Sequence, residues 1–238
     1  MLNLRPNVRI PRRDTCPRCL RPAGQCLCGR LKTIDTRLRV LILQHPQEQR
    51  KLLNSARLTS MVLTNSTLRV GLSWPNLGRA LGEEADPKHW GVLYPLKEPA
   101  GEELLRFTDR KGRVVTALEG LEGIVVLDAS WRQSRTLWWR NPWLTRLSRI
   151  CLNPAHRSIR YQTKATGLTT AEAVGLTLEA LEPDRGTEEA VVGQFVTLIA
   201  EPNRRTASTR ASGASRHTGH RRRRPGRKKR LPHGEDAS

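Results

Sequence analysis

The sequence is poor in aromatics: two Phe, two Tyr and six Trp in 238 residues. It has no apolar run near the roughly 18–20 residues that span a bilayer, which excludes a transmembrane helix of the usual kind. The opening MLNLRPNVRIPRRD lacks the apolar stretch of a secretory signal. Acids are scarce as well. Lys and Arg number 42 against 22 Asp and Glu, a formal charge of +20, which points to a polyanionic partner. Five Cys without an export signal imply a reducing cytosol, where paired thiols bind metal more often than they form disulfides. The chain is therefore expected in the cytoplasm and not across a membrane, although charge alone does not separate nucleic acid from an anionic membrane surface as partner.

Charge and apolar residues are unevenly distributed. Residues 203–230 hold twelve Lys or Arg and no acid. Nothing apolar there offsets the entropy of ordering, so 203–238 is predicted to be a disordered basic tail. Upstream, RVLILQH (39–45) and IVVLD (124–128) are short continuous apolar runs of the buried-strand kind. GVLYPLKE (91–98) and LSRICL (147–152) are expected to be further strands, and 98–113 a loop with a hairpin. EQRKLLNSARLTSMVL (48–63), TTAEAVGLTLEALE (169–182) and TEEAVVGQFVTLIAE (187–201) have helical spacing. Caps are expected at Thr169 or Thr170 and at Thr187. The stretch 64–90 supports no assignment. The order predicts an α/β fold, a mostly parallel sheet with helices on both faces, in which ligands gather beyond the carboxyl ends of the strands. Asp128 ends one such strand, and His45 another.

CPRCLRPAGQCLC sets Cys16, Cys19, Cys26 and Cys28 as two close pairs separated by a Gly-containing turn. Four thiolates so spaced can close a tetrahedron around zinc and leave no open position, so the metal is expected to fold residues 1–37 rather than react. Cys151, alone in an apolar stretch, is expected to be a buried small hydrophobe.

In LDASWRQSRTLWWRNPWL (127–144), Trp131, Trp138, Trp139 and Trp143 crowd behind Asp128 among Arg132, Arg135 and Arg140. Two uses compete. Trp138, Trp139 and Trp143 can cap the core, while aromatic faces among Arg side chains suit stacked bases and phosphates. Asp128 can cap the helix that begins near Ser130, although Ser130 could do so itself. Otherwise Asp128 is the acid left to accept a proton in a basic surround.

LDASW resembles the Asp-x-Thr-Trp signature of the DTW-domain family, with Ser130 where Thr is usual. The likeness covers most of 14–185. It includes the cysteine cluster, QHPQEQRKLLNSA (44–56) against the His-Pro-x-Glu and Asn-Thr elements, and LYP (93–95). GLTTAEAVG (167–175) is similar to the Ser-Thr-x-Glu-Ala segment. Ser replaces Thr at Ser55 and Ser130, which keeps the hydroxyl, and the basic tail is not part of the pattern.

The resemblance implies a tRNA-uridine aminocarboxypropyltransferase with a SPOUT-like, trefoil-knotted catalytic domain over 38–202. It thereby implies tRNA and no membrane as partner. Such enzymes pass the 3-amino-3-carboxypropyl group of S-adenosylmethionine to N3 of a tRNA uridine, and methylthioadenosine leaves. Asp128 would then be the general base and Trp131 a wall of the site. Ser130, Thr170, Glu172 and Arg160 would hold the cofactor, with Arg160 a clamp for the transferred carboxylate. Glu172 serves equally as a charge complement to its helix N-terminus, and His45 as an ordinary strand-end residue. Two other functions fit the same residues: a methyltransferase of this fold, and a non-enzymatic zinc-containing RNA-binding or ribosome-assembly protein.

Overall fold

The computed structural model describes residues 15–51, 54–94, 103–153 and 168–197. Seven strands form one sheet: β1 (Arg39–Gln44), β2 (Ser66–Val70), β3 (Trp90–Leu93), β4 (Leu105–Thr108), β5 (Val114–Val115), β6 (Gly123–Asp128) and β7 (Ser148–Leu152). Their order is β2-β1-β6-β3-β7-β4-β5. The first five are parallel, and β4 and β5 extend the sheet as an antiparallel hairpin. The hairpin expected within 98–113 thus exists, with its second strand just beyond. Asp109 turns it by accepting from the N–H groups of Lys111 and Arg113, and Gly112 takes the left-handed φ of +80°.

The apolar runs are continuous because both faces of the sheet are covered. Side chains alternate along a strand. Val40, Ile42, Ile124 and Val126 bury against α1 (Ser55–Val62), α4 (Thr170–Leu181) and the helix over 187–197, here α5. Leu41, Leu43 and Val125 bury on the other face, against α2 (Leu77–Leu81) and the 3-10 segment Pro142–Arg146. Each fully buried Ile or Leu contributes about 1.5–3 kcal/mol. Trp90 packs so close beneath β6 that a Cβ at Gly123 would lie 2.6 Å from its ring, so only glycine fits there.

Three boundaries differ from the expectation. The helix foreseen from 48 begins at Ser55, after a 3-10 turn at Glu48–Arg50, because the Asn54 side chain accepts from Arg57 N–H and caps it. The unassigned 64–90 holds β2 and α2. The first is a half-exposed edge strand with the mixed sequence STLRV and the second has only five residues, so neither leaves a clear periodic trace. At α5 the cap is not Thr187. The Glu179 carboxylate of α4 accepts from the N–H groups of Thr187 (2.7 Å) and Glu188 (3.2 Å).

The cysteine loop is anchored on the α/β body. Leu27 is buried in the first apolar cluster, and Ile34 bridges Leu63. Gln194 of α5 pairs with both the N–H and the carbonyl of Lys32. No helix among the described residues is long and apolar enough to cross a membrane. The tail 203–238 and the end of the last predicted helix, 198–201, lie outside the described residues.

Candidate active site

β1 and β6 run parallel in a register that sets Gln44 opposite Asp128, at the carboxyl ends of both. From β1 one connection leads outward to β2, while β3 lies on the far side of β6. The chain therefore reverses its direction across the sheet here, the place where open α/β sheets form a ligand crevice. Gln44 Nε2 donates to Asp128 Oδ2 at 2.7 Å and to Asn54 Oδ1 at 3.0 Å. The Thr170 hydroxyl, in the first turn of α4, donates to Asp128 Oδ1. Two donors from different elements thus fix the plane of the carboxylate, and its other lone pairs remain for an incoming proton.

Burial pushes the Asp128 carboxyl above the ordinary carboxylate range, against the Thr170 and Gln44 hydrogen bonds that stabilise the charged form. The nearby charge of Glu48 pushes the same way, and Lys51, ion-paired to Glu48, opposes it. A carboxylate held against this desolvation is a stronger base than one in water. Gln44 is fully buried, and its Oε1 has no hydrogen-bond partner. His45 continues the ladder, its N–H donating to the Asp128 carbonyl at 3.0 Å. Burial pushes its imidazole below the usual value, so it is neutral at pH 7.

Asp128 is not a helix cap. Ser130 caps α3 (Trp131–Arg140), forming a capping box with Gln133, whose side chain also reaches Gln47. The Ser130 hydroxyl, expected at the cofactor, is engaged in that cap. Glu172 likewise closes a capping box with Thr169 and is buried. Thr170 is the member of this segment that meets Asp128. Arg160 lies outside the described residues.

The tryptophans divide. Trp143 is buried, its indole N–H donating to the Trp74 carbonyl at 3.0 Å. Trp138 packs on Tyr94 with centroids 5.0 Å apart, and the Arg149 guanidinium lies 5.3 Å from the other partner ring, Tyr94. Trp131 is 48% exposed, at the start of α3 beside the site. Trp139 is 77% exposed, so the expectation that it caps the core is corrected. It sits about 200° around the helix from buried Leu137. Sequence reasoning missed Gln44 and Asn54. Their signal was a polar residue closing an apolar strand run and a capping amide ten residues on.

The four cysteines converge. Cys16 and Cys28 sulfurs are 3.6 Å apart, Cys19 and Cys26 sulfurs 3.8 Å, and all four lie within 4.8 Å of one another. Ligands about 2.3 Å from a tetrahedral ion are about 3.8 Å apart, whereas a disulfide needs about 2.05 Å. The group is spaced to hold a metal. Backbone N–H groups of Cys19 and Arg18 lower the Cys16 thiol to about 6, while burial pushes the Cys28 thiol up to about 12. It is the spacing of the sulfurs that points to a metal. Cys151 is buried and apart, as expected.

The DTW domain matches residues 13–201, which contain the cysteine cluster, Asp128 and Thr170. This chain belongs to the DTW-domain family. It is similar to a protein of Macaca fascicularis named tRNA-uridine aminocarboxypropyltransferase 2, 27% identical over 204 residues, 79% of this chain and 63% of the relative. A Drosophila melanogaster protein of the same name is 27% identical over 200 residues, 79% of this chain and 74% of its own. The Arabidopsis thaliana protein named tRNA-uridine aminocarboxypropyltransferase A is 25% identical over 224 residues, 80% of each chain. This DTW-domain chain thus spans under two thirds of the macaque relative, and of a mouse relative at 65%. No solved structure matches it significantly.

Proposed function

We infer that this chain transfers the 3-amino-3-carboxypropyl group of S-adenosylmethionine to N3 of a uridine in tRNA. The observation that carries the reading is the Asp128 carboxylate, half-buried and oriented by Gln44 and Thr170 at the crevice of the sheet, in a DTW-domain chain. The names of the relatives supply the reaction class. Uridine N3 is a poor nucleophile while protonated. Asp128 accepts its proton as the N3–Cγ bond forms, the Cγ–S bond breaks, and methylthioadenosine leaves as a neutral thioether. The donor supplies an activated sulfonium leaving group, so the chain's own task is alignment and proton removal. The orphaned Gln44 Oε1 suits a crevice built around polar ligands. Trp131 walls the site, and Arg160 is assigned to the carboxylate of the transferred unit.

The same reading makes the metal zinc, structural because four cysteines close its coordination. It makes the sheet SPOUT-like and knotted, which the late strand β6 inserted between β1 and β3 supports, and it places the protein in the cytoplasm. Incubating the purified chain with unmodified tRNA and S-adenosylmethionine, then analysing nucleosides and small products, tests it. Aminocarboxypropyl-uridine with methylthioadenosine is expected. A methylated nucleoside with S-adenosylhomocysteine would replace this reading with the methyltransferase.

A further inference from the structure

α3 turns one face outward, and that face is unusual in this chain. Its inner side is fixed by Leu137, fully buried, and by Trp138 on Tyr94. At 100° per residue, Trp131, Arg132, Arg135 and Trp139 fall within about 100° of one another, with Arg135 and Trp139 each about 160° from Leu137. All four are exposed. Trp131 and Trp139 are also the two exposed aromatic residues among the described residues, in a sequence with only six Trp. Their i, i+4, i+8 spacing with Arg135 makes a continuous stripe about 12 Å long. The charge around it has one sign: from Ala129 to Asn153 there are five Arg and no acid. A helix serving only the sheet would have no use for a Trp 77% in water.

We propose that this stripe holds unpaired nucleotides of the substrate RNA outside the reaction centre, a base stacking on Trp139 and flanking phosphates meeting Arg132 and Arg135. The inference rests on the tRNA reading above. Position argues for RNA over other anionic partners. The stripe begins three residues after Asp128, at the carboxyl edge of the sheet, so an RNA with its uridine at Asp128 has α3 beside it. Indole faces take any base, and guanidinium groups between them track the backbone. Trp139 thereby contributes to grip on the RNA and leaves proton transfer at Asp128 untouched.

The test uses the full chain with Trp139→Ala, Trp139→Phe and Arg135→Gln, each checked for an unchanged melting temperature. Binding of unmodified tRNA transcript is measured at several salt concentrations, with kcat and KM alongside. Trp139→Ala should weaken tRNA binding and raise its KM roughly ten-fold, as loss of one stacked base does. Its kcat at saturation should stay unchanged, and Trp139→Phe should restore most of the loss. Arg135→Gln should reduce the slope of log affinity against log salt by about one, while Trp139→Ala leaves the slope alone. Wild-type binding and KM in Trp139→Ala would overturn the proposal. So would a Trp139-dependent affinity for anionic phospholipid vesicles with tRNA binding unaffected. If Trp139→Ala weakens tRNA binding but wild type forms no aminocarboxypropyl product, the RNA surface stands and the reaction assignment fails.

Discussion

Gln44 and Asp128 face each other at the ends of two neighbouring parallel strands, and one amide N–H₂ ties the carboxylate to Asn54 across 2.7 and 3.0 Å. Its effect on acidity has a definite sign. The Gln44 bond lowers the Asp128 carboxyl, which burial has raised. Gln44→Leu should therefore raise it further and shift the acid limb of the pH–kcat profile to higher pH. A hydrogen bond to a charged group is worth about 1.5–3 kcal/mol, so transfer at neutral pH should slow about 10- to 100-fold. An unmoved acid limb would mean that Gln44 does not position the base.

Removing the metal should loosen the cysteine loop and not the chemistry at Asp128. Metal analysis should find one zinc per chain, and Cys26→Ser or a strong chelator should lower the melting temperature. A loss of a few kcal/mol corresponds to roughly 10 °C at this chain length. A metal-free preparation with the melting temperature of the untreated protein would refute the structural zinc.

The parts of the fold that rest on burial were legible in the sequence. β1 and β6 are continuous apolar runs because helices cover both faces, and Thr169 announces α4 through a local capping box. The cysteine spacing foretold the convergence of four sulfurs. What was not legible depends on partners distant in sequence. β2 is a mixed edge strand held by β1, and the α5 cap comes from Glu179 one helix earlier. In the site, Asp128 could be picked out as a carboxylate ending a strand. Gln44 and Thr170 reach it across 84 and 42 residues, which no local pattern records.

Glu179 gives a purely structural prediction. Its carboxylate satisfies two N–H groups at the start of α5, so Glu179→Ala should cost about 1–2 kcal/mol. Denaturant unfolding measures this, and kcat should be unaffected. Thr187→Ala, by contrast, should not show the loss of a cap, because its hydroxyl has no hydrogen-bond partner.

Deleting 203–238 removes twelve of the 42 basic residues and none of the site. The shortened chain should bind tRNA more weakly, with a shallower salt dependence, because fewer counterions are released. Turnover at saturating tRNA should match the full chain, and the same uridine should be modified. Loss of turnover at saturation would show that the tail positions the substrate.

The central claim is that Asp128 takes the uridine N3 proton. Its raised carboxyl means the folded state holds a proton more tightly than the unfolded chain, so the charged form opposes folding as pH rises through that window. Asp128→Asn, which is never charged, should keep the fold with a melting temperature at neutral pH no lower than wild type. The direct measurement is a single-turnover assay of wild type and Asp128→Asn, with aminocarboxypropyl-uridine quantified by mass spectrometry at saturating tRNA and S-adenosylmethionine. The account expects about a 10²- to 10⁴-fold slower transfer in the variant, the usual worth of a positioned base, with tRNA binding retained. Transfer by Asp128→Asn at close to the wild-type rate would contradict it.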